Sequence, residues 1–268
     1  MTPNELLAHI DEAHLWHWPA GSVADGDLDE AYELALSVRA LRQARGERPA
    51  GLKIGFTNRT IWSLYNVHAP IWGTVWDSTV HDMPVSSPAI TSVSKLCQPR
   101  IEPEVVFHLG RSLGPAPSMT DLFEAIDWLA PGFELVQSHL PDWKFAIADT
   151  VADSGLHGQL WIGPRVPVNE FAHDANALAS RLAKARVQLY CDDNLVHVGI
   201  GANVLDSPLH ALYHVAEVLA KCPNAPTLNA GDVITTGTWT DAPPVQAQQT
   251  WRASFDCFES EISLTLRQ

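Results

Sequence analysis

Proline at position 103, with a glutamate on either side, restricts this chain more than any other residue does. It lies in Gln98-Pro99-Arg100-Ile101-Glu102-Pro103-Glu104-Val105-Val106-Phe107. A helix interior is disfavoured, because the ring removes an N–H and clashes with the preceding turn. The β-branched and aromatic residues that follow favour a strand. On a strand, residues two apart share a face, so Glu102 and Glu104 point the same way. The missing N–H suits an edge or the start of a strand. Two carboxylates that close repel, and one takes up a proton unless a cation sits between them. A hard divalent ion such as Mg²⁺, bound by a few carboxylates with waters left for substrate to replace, answers that repulsion. The alternative is that both glutamates lie on the solvated face of an amphipathic strand. The segment by itself does not choose.

The 268 residues, 46% hydrophobic and 18% charged, suffice for one large domain with a sizeable core, or a domain with a small appendage. Lys and Arg total 17 against 31 Asp and Glu, a formal charge of −14. That balance argues against nucleic acid or an anionic membrane as partner. Cys97, Cys191, Cys222 and Cys257 show no paired spacing, so neither a disulfide framework nor a zinc site is expected. With no signal-peptide pattern and no apolar run long enough to span a bilayer, a soluble cytoplasmic protein is expected.

Along the chain, residues 2–18 read as a helix capped by Thr2 or Asn4 and stopped by Pro19. A second helix runs from about Leu28 to Ala44 with apolar residues at a 3.6 period. Gly51 to Thr57 is a short strand carrying Lys53, which either faces solvent or is buried with an anionic partner. Asn58 to Tyr65 reads as a further helix, and residues 67–76 as a loop entering a strand. Asp121 to Ala130 is amphipathic, with Thr120 or Asp121 at its cap, and Pro131 to Val136 is a strand with an isolated carboxylate, Glu134. Residues 166–200, 231–240 and 249–267 read as short strands, with one helix from about Pro208 to Lys221. Helices first and strands afterwards make an α+β pattern.

Six motifs then fall in one order: Gly51-Leu52-Lys53-Ile54-Gly55, Gln98 to Glu104, Glu134-Leu135-Val136-Gln137-Ser138, Asp142-Trp143, Asp149-Thr150-Val151-Ala152-Asp153 and Gly231 to Gly237. Over about residues 28–266 the chain resembles the 2-keto-4-pentenoate hydratase and 4-oxalocrotonate decarboxylase branch of the fumarylacetoacetate hydrolase superfamily. The resemblance implies a mixed β-roll with a smaller N-terminal helical portion, drawn here as residues 71–268 and 1–70. It implies a homo-oligomer, with a complex with a partner enzyme of the same pathway as a further expectation. Glu102, Glu104 and Glu134 match three carboxylate ligands for Mg²⁺ or Mn²⁺, and Lys53 matches an active-site lysine. Thr236 and Gly237 match a segment that lines the carboxylate end of a small 2-oxo or 2-hydroxydienoic acid from aromatic-ring degradation. Lys53, Asp153 and His139 are the candidate catalytic residues; Ile71, Trp72, Leu156, Thr236 and Gly237 are the candidate substrate contacts.

Two departures bear on the reaction. Hydratases of this branch read Pro-Asp-Phe-Gly where this chain has Pro70-Ile71-Trp72-Gly73, and Ala-Asp-Asn-Ala-Ser where it has Ala152-Asp153-Ser154-Gly155-Leu156. A carboxylate and a hydroxyl, polar groups able to handle or position a water, are thus replaced by apolar ones; Asp77, His139, Ser154 and His157 are the nearby polar residues that could substitute. Leu156 and Trp239 are the expected neighbours of Ile71 and Trp72 across the pocket. Hydration is the family default. Decarboxylation of an unsaturated 2-oxo diacid is the alternative, and C–C hydrolysis of an acylpyruvate would call for a base such as His139 with Asp142. From another class, the chain could be a non-catalytic supporting subunit. Exchanging those polar groups also removes partners for a charged substrate tail, so the distal end of the substrate is expected to be uncharged.

Overall fold

The computed structural model describes residues 1–62, 68–84 and 88–268. Helix α1 spans Pro3–Glu12 and is closed by a capping box, Thr2 accepting from the Glu5 amide while Glu5 accepts from the Thr2 amide. It ends earlier than expected. Ala13 turns into the left-handed region (φ 52°), and the chain beyond it leaves the helix so that the Trp16 amide donates to the His139 carbonyl. Helix α2, Leu28–Ala44, has the expected bounds, with Asp27 accepting from the Asp29 and Glu30 amides.

The strands that follow are β1 Pro49–Gly55, β2 Ile71–Trp76, β3 Val80–Asp82, β4 Ala89–Ser92 and β5 Arg100–Leu109. Of the helix expected at 58–65, the described residues show a 3-10 turn at Arg59–Ile61 leading into helical Trp62; residues 63–67 lie outside the described residues. Helix α3 is Met119–Ala125, capped by Ser118 rather than Thr120 or Asp121. It stops at Ala125 because Ile126–Val136 is one continuous strand, β6, whose first residues pair with β5. Strand pairing there overrides the helical periodicity read as far as Ala130. Helix α4 (Ile147–Ala152), strands β7 (His157–Ile162) and β8 (Val166–Pro167), and helices α5 (Val168–Phe171) and α6 (Ala175–Lys184) come next. Helix α6 interrupts a region expected to be strands. Strands β9 (Arg186–Cys191) and β10 (Asn194–Ile200), helix α7 (Pro208–Leu219), and strands β11 (Val233–Thr235), β12 (Thr250–Phe255) and β13 (Ile262–Arg267) complete the chain.

Two mixed sheets result. The larger runs β2-β1-β11-β5-β6-β7-β3, with β8 added to β6, and the smaller runs β10-β9-β12-β13-β4. The central pair is β5 with β6, in antiparallel register from Arg100↔Val136 to Leu109↔Ile126. Pro103 therefore sits inside the sheet, contrary to the expected edge or strand start. Its carbonyl accepts from the Trp239 amide, so its ring nitrogen faces the same side, away from β6. On that side β11 pairs β5 only as far as Val106, so no ladder bond is lost at Pro103. Phe107, Leu129, Phe133 and Leu135 from β5 and β6 are fully buried. Such a side chain contributes about 1.5–3 kcal/mol through burial, which anchors the strand pair carrying the three glutamates. No described helix is long and apolar enough to cross a membrane, and the four cysteines are free.

Candidate active site

Register places the carboxylates. Glu102 and Glu134 are directly opposed across β5 and β6, and Glu104 lies two residues along β5 on the same face. One oxygen from each of the three lies within 4.8 Å of the others. Strand β1 brings Lys53 level with Thr235 of β11, and the Lys53 Nζ is 3.2 Å from Glu134 Oε2. Lys53 is thus buried with an anionic partner. On the other flank, His157 at the start of β7 has its Nδ1 2.8 Å from Glu134 Oε1, and its Nε2 is 2.8 Å from Thr79 Oγ1. Glu104 Oε2 accepts from the Gly237 amide at 2.8 Å and from the Thr235 hydroxyl. Its Oε1 is buried without a hydrogen-bond partner.

Three carboxylates and one lysine cannot all be satisfied by each other. Burial, reinforced by Glu134 and Glu102, pushes the Glu104 carboxyl well above its usual range. Burial also raises Glu102, although Lys53 opposes it. Glu134 goes the other way: burial would raise it, but Lys53 and the His157 hydrogen bond outweigh that and hold it low. Burial works against the Lys53 ammonium, yet Glu134, Glu102 and Glu104 together raise its pKa. Burial lowers His157, so its ring is the neutral tautomer donating from Nδ1 to Glu134. An unpartnered carboxylate oxygen beside two more glutamates is the donor set of a hard cation: all oxygen, negative in sum, with Glu102 half-buried and open to the pocket.

The pocket beside this cluster has about 180 Å³ of solvent space. Lys53, Glu102 and Gly237 form one end; Ile71, Val136, Leu156, Phe56, Trp143 and Phe145 form much of the rest. The turn that carries Gly155 and Leu156 to the pocket wall depends on close backbone approach. A Cβ on Gly73 would stand 2.2 Å from the Ser154 carbonyl oxygen, and one on Gly155 would stand 3.0 Å from Lys53 Cδ. Gly155 has φ 66° and Leu156 φ 67°, a tight kink that turns Leu156 into the pocket.

Trp143 is held by a second irregular turn. Asp142 and Trp143 both have φ 58°, a left-handed conformation costing about 1–2 kcal/mol per non-glycine residue. Gln98 sustains it. Its side-chain oxygen accepts from the Asp142 amide at 2.8 Å, and its carbonyl accepts from Trp143 Nε1 at 2.9 Å. Its side-chain amide donates to the carbonyls of Ser138 and Leu140. The Arg100 guanidinium lies 4.3 Å from the Trp143 ring centre.

Several expected contacts lie elsewhere. Trp72 points to the opposite face of β2 from Ile71 and stacks on Tyr32, ring centres 4.8 Å apart. Thr236 is buried and donates to the Val105 carbonyl. The Gly237 amide is already engaged by Glu104, although Gly237 lines the pocket. Trp239 is fully buried against Phe255 and is not part of the wall. His139 pairs with Asp153, not Asp142: Nδ1 to Oδ1 is 2.6 Å, and its amide donates to Oδ2. Both are buried outside the pocket lining, while Asp142 is exposed beside Lys144. Burial opposes a charge on His139, but Asp153 overcomes it and lifts its pKa to about 10. The pair fixes the chain just ahead of Ser154, Gly155 and Leu156. Asp77 is exposed and accepts from the Arg48 amide, away from the cluster. Sequence reading missed Trp143 and Phe145 as walls, and His157 as partner of Glu134. The Asp142-Trp143 motif was visible, but its direction rests on a left-handed turn that spacing does not reveal.

The fumarylacetoacetate (FAA) hydrolase C-terminal family model matches residues 68–265. The chain belongs to this family. Within it, the chain is similar to the 2-hydroxyhexa-2,4-dienoate hydratase of Comamonas testosteroni, 32% identical over 222 residues, 82% of this chain and 79% of the relative. It is also similar to a 4-oxalocrotonate decarboxylase of a Pseudomonas species, 30% identical over 249 residues and 90% of each chain. Among solved structures of this fold, 4-oxalocrotonate decarboxylase from Pseudomonas putida G7, complexed with magnesium and adipate, superposes with a TM-score of 0.85 at 24% identity, covering 99% of this chain and 98% of that one. The mixed α/β architecture is therefore that of the fumarylacetoacetate hydrolase family.

Proposed function

We propose that this protein is a divalent-metal-dependent lyase that acts on a small 2-oxo or 2-hydroxydienoic acid, with hydration as its reaction. The observation that carries it is the convergence of Glu102, Glu104 and Glu134 oxygens within 4.8 Å beside a small pocket bordered by Lys53. Glu102, Glu104 and Glu134 would hold Mg²⁺ or Mn²⁺, a reading supported by the unpartnered Glu104 oxygen and by the magnesium in the decarboxylase relative. When bound, the ion supplies Lewis acidity to the oxygens of a chelating 2-oxo acid.

The chain's own groups then divide the work. Lys53, charged and paired with Glu134, is the proton donor at the carboxylate-cluster end of the pocket. His157 and Thr79 hold Glu134 in place, and the Thr235 hydroxyl with the Gly237 amide hold Glu104. His139 and Asp153, read from sequence as catalytic, act here as positioning residues behind the 154–156 turn. On the same reading the enzyme works as a cytoplasmic homo-oligomer.

Decarboxylation is the second reading, favoured by one observation: Ile71 and Leu156 present apolar groups, so the pocket has few side chains to manage an attacking water. Acylpyruvate hydrolysis is not supported, since no histidine is among the described residues lining the pocket. The test incubates the protein with Mg²⁺ or Mn²⁺ and a panel of unsaturated 2-oxo acids, reading products by mass. Gain of one water is the expected result, and loss of CO₂ would install the second reading. No conversion of any compound, with metal present, would overturn the enzymatic proposal in favour of a supporting subunit.

A further inference from the structure

We infer that the pocket selects monocarboxylic substrates whose distal end is an uncharged apolar tail of several carbons, alkyl or aryl, packed on Ile71, Val136, Trp143 and Leu156. This deepens the proposed function and rests on it for the identity of the acid head. Among the described lining residues the ionisable side chains are Lys53 and Glu102, both at the cluster end. Lys53 is committed to Glu134 at 3.2 Å. The polar side chains further out, Thr57, Asn58 and Thr238, are all neutral and offer no charge to offset a carboxylate. Asn58 Oδ1 accepts from the Thr60 amide and hydroxyl, and the Thr238 hydroxyl donates to the Thr240 carbonyl while accepting from the Thr240 amide. Arg100 and Arg59, each beside a wall residue, are absent from the lining: Arg100 is stacked on Trp143 and donates to the Ala242 carbonyl, and Arg59 is paired with Asp206.

A carboxylate at the far end of a substrate would therefore be desolvated without a cation to receive it, which is strongly unfavourable. An apolar tail meets a wall that is already in place. Trp143 is fixed by the Gln98 carbonyl and the Arg100 stack, and Leu156 by the kink at Gly155. Neither needs reordering when a tail enters, so little of the contact is lost to side-chain ordering.

The experiment measures binding apart from turnover. Saturated 2-oxo acids of rising chain length, and 2-oxo diacids of matched length, are titrated by calorimetry into the Mg²⁺-loaded protein. The expected result is a Kd that tightens about fourfold per added methylene, the equivalent of about 0.8 kcal/mol, until the pocket is full. Matched diacids should bind at least about tenfold more weakly. Trp143→Ala should flatten the chain-length dependence, and Ile71→Arg should reverse the preference toward diacids. Circular dichroism of each variant separates misfolding from altered selection, and the wild-type series decides alone if a variant misfolds. Affinity that ignores chain length, diacids that bind more tightly, or no binding by either series would overturn the inference. Because these ligands are not turned over, the product-mass assay judges the lyase reading separately.

Discussion

Lys53→Met tests the electrostatic account of the cluster most directly. The side chain is isosteric enough to keep its packing in β1, so the change removes charge and little volume. Unit charges 3.2 Å apart attract by about 5 kcal/mol at an effective dielectric near 20. Removing one partner of a buried pair costs about 3–5 kcal/mol, because the other is left uncompensated. We expect a loss of that size in urea unfolding of chelator-treated protein at neutral pH. The pH dependence follows from the shifts. Glu134 is held below its ordinary value of 4.5, so its contribution is present above that pH and is lost as pH falls through the folded value. Lys53 is raised above 10.5, so its contribution is present below that pH and is lost as pH rises through its folded value. The gap between wild type and variant should therefore be full between about pH 4.5 and 10.5 and close on the acid side. Divalent metal should narrow the gap, since a cation replaces the missing charge, while turnover falls by orders of magnitude. A variant as stable as wild type across this range would refute the account, and one that retains full turnover would remove Lys53 from the chemistry.

Glu102→Gln should lose the thermal stabilisation given by Mg²⁺ or Mn²⁺, with activity, yet be no less stable than wild type in chelator. Burial raises the Glu102 carboxyl, so its ionisation opposes folding; full activity in excess chelator would sink the metal assignment. His139 titrates near 6.5 when unfolded and about 10 when folded, so its contribution is complete below 6.5 and lost as pH rises toward 10. Urea unfolding should show that decline in wild type and not in His139→Asn, whose kcat/KM should also fall as the 154–156 turn loosens. Gly73→Ala places a Cβ 2.2 Å from the Ser154 oxygen and should cost about 1–3 kcal/mol with a raised KM; an unchanged KM would show that the turn does not shape the pocket.

Local chemistry in the sequence was enough for part of this. Pro103 between two glutamates places Glu102 and Glu104 on one face of a strand, which alternation alone makes legible; grouping Glu134 and Lys53 with them rests on the family resemblance, not on residue type or spacing. Helix α2 was legible to the residue because its cap and its period agree. Where local signals conflict with pairing, the sequence misleads: Ile126–Ala130 has helical periodicity, but β5 offers it hydrogen bonds along its whole length, and the strand wins. Side-chain direction is a finer matter still. A strand alternates faces, so Ile71 and Trp72 cannot both meet one ligand, and only the register of β1 and β2 decides which does. The partner of His139 is Asp153 and not the nearer Asp142, because left-handed turns at Asp142 and Trp143 send the one carboxylate to solvent and the ring into the pocket. Residue type fixed what chemistry this chain can do, since charge and hydrogen bonding belong to the side chain. Which residues perform it depends on contacts between strands far apart in the chain, and those exist only once the sheet has formed.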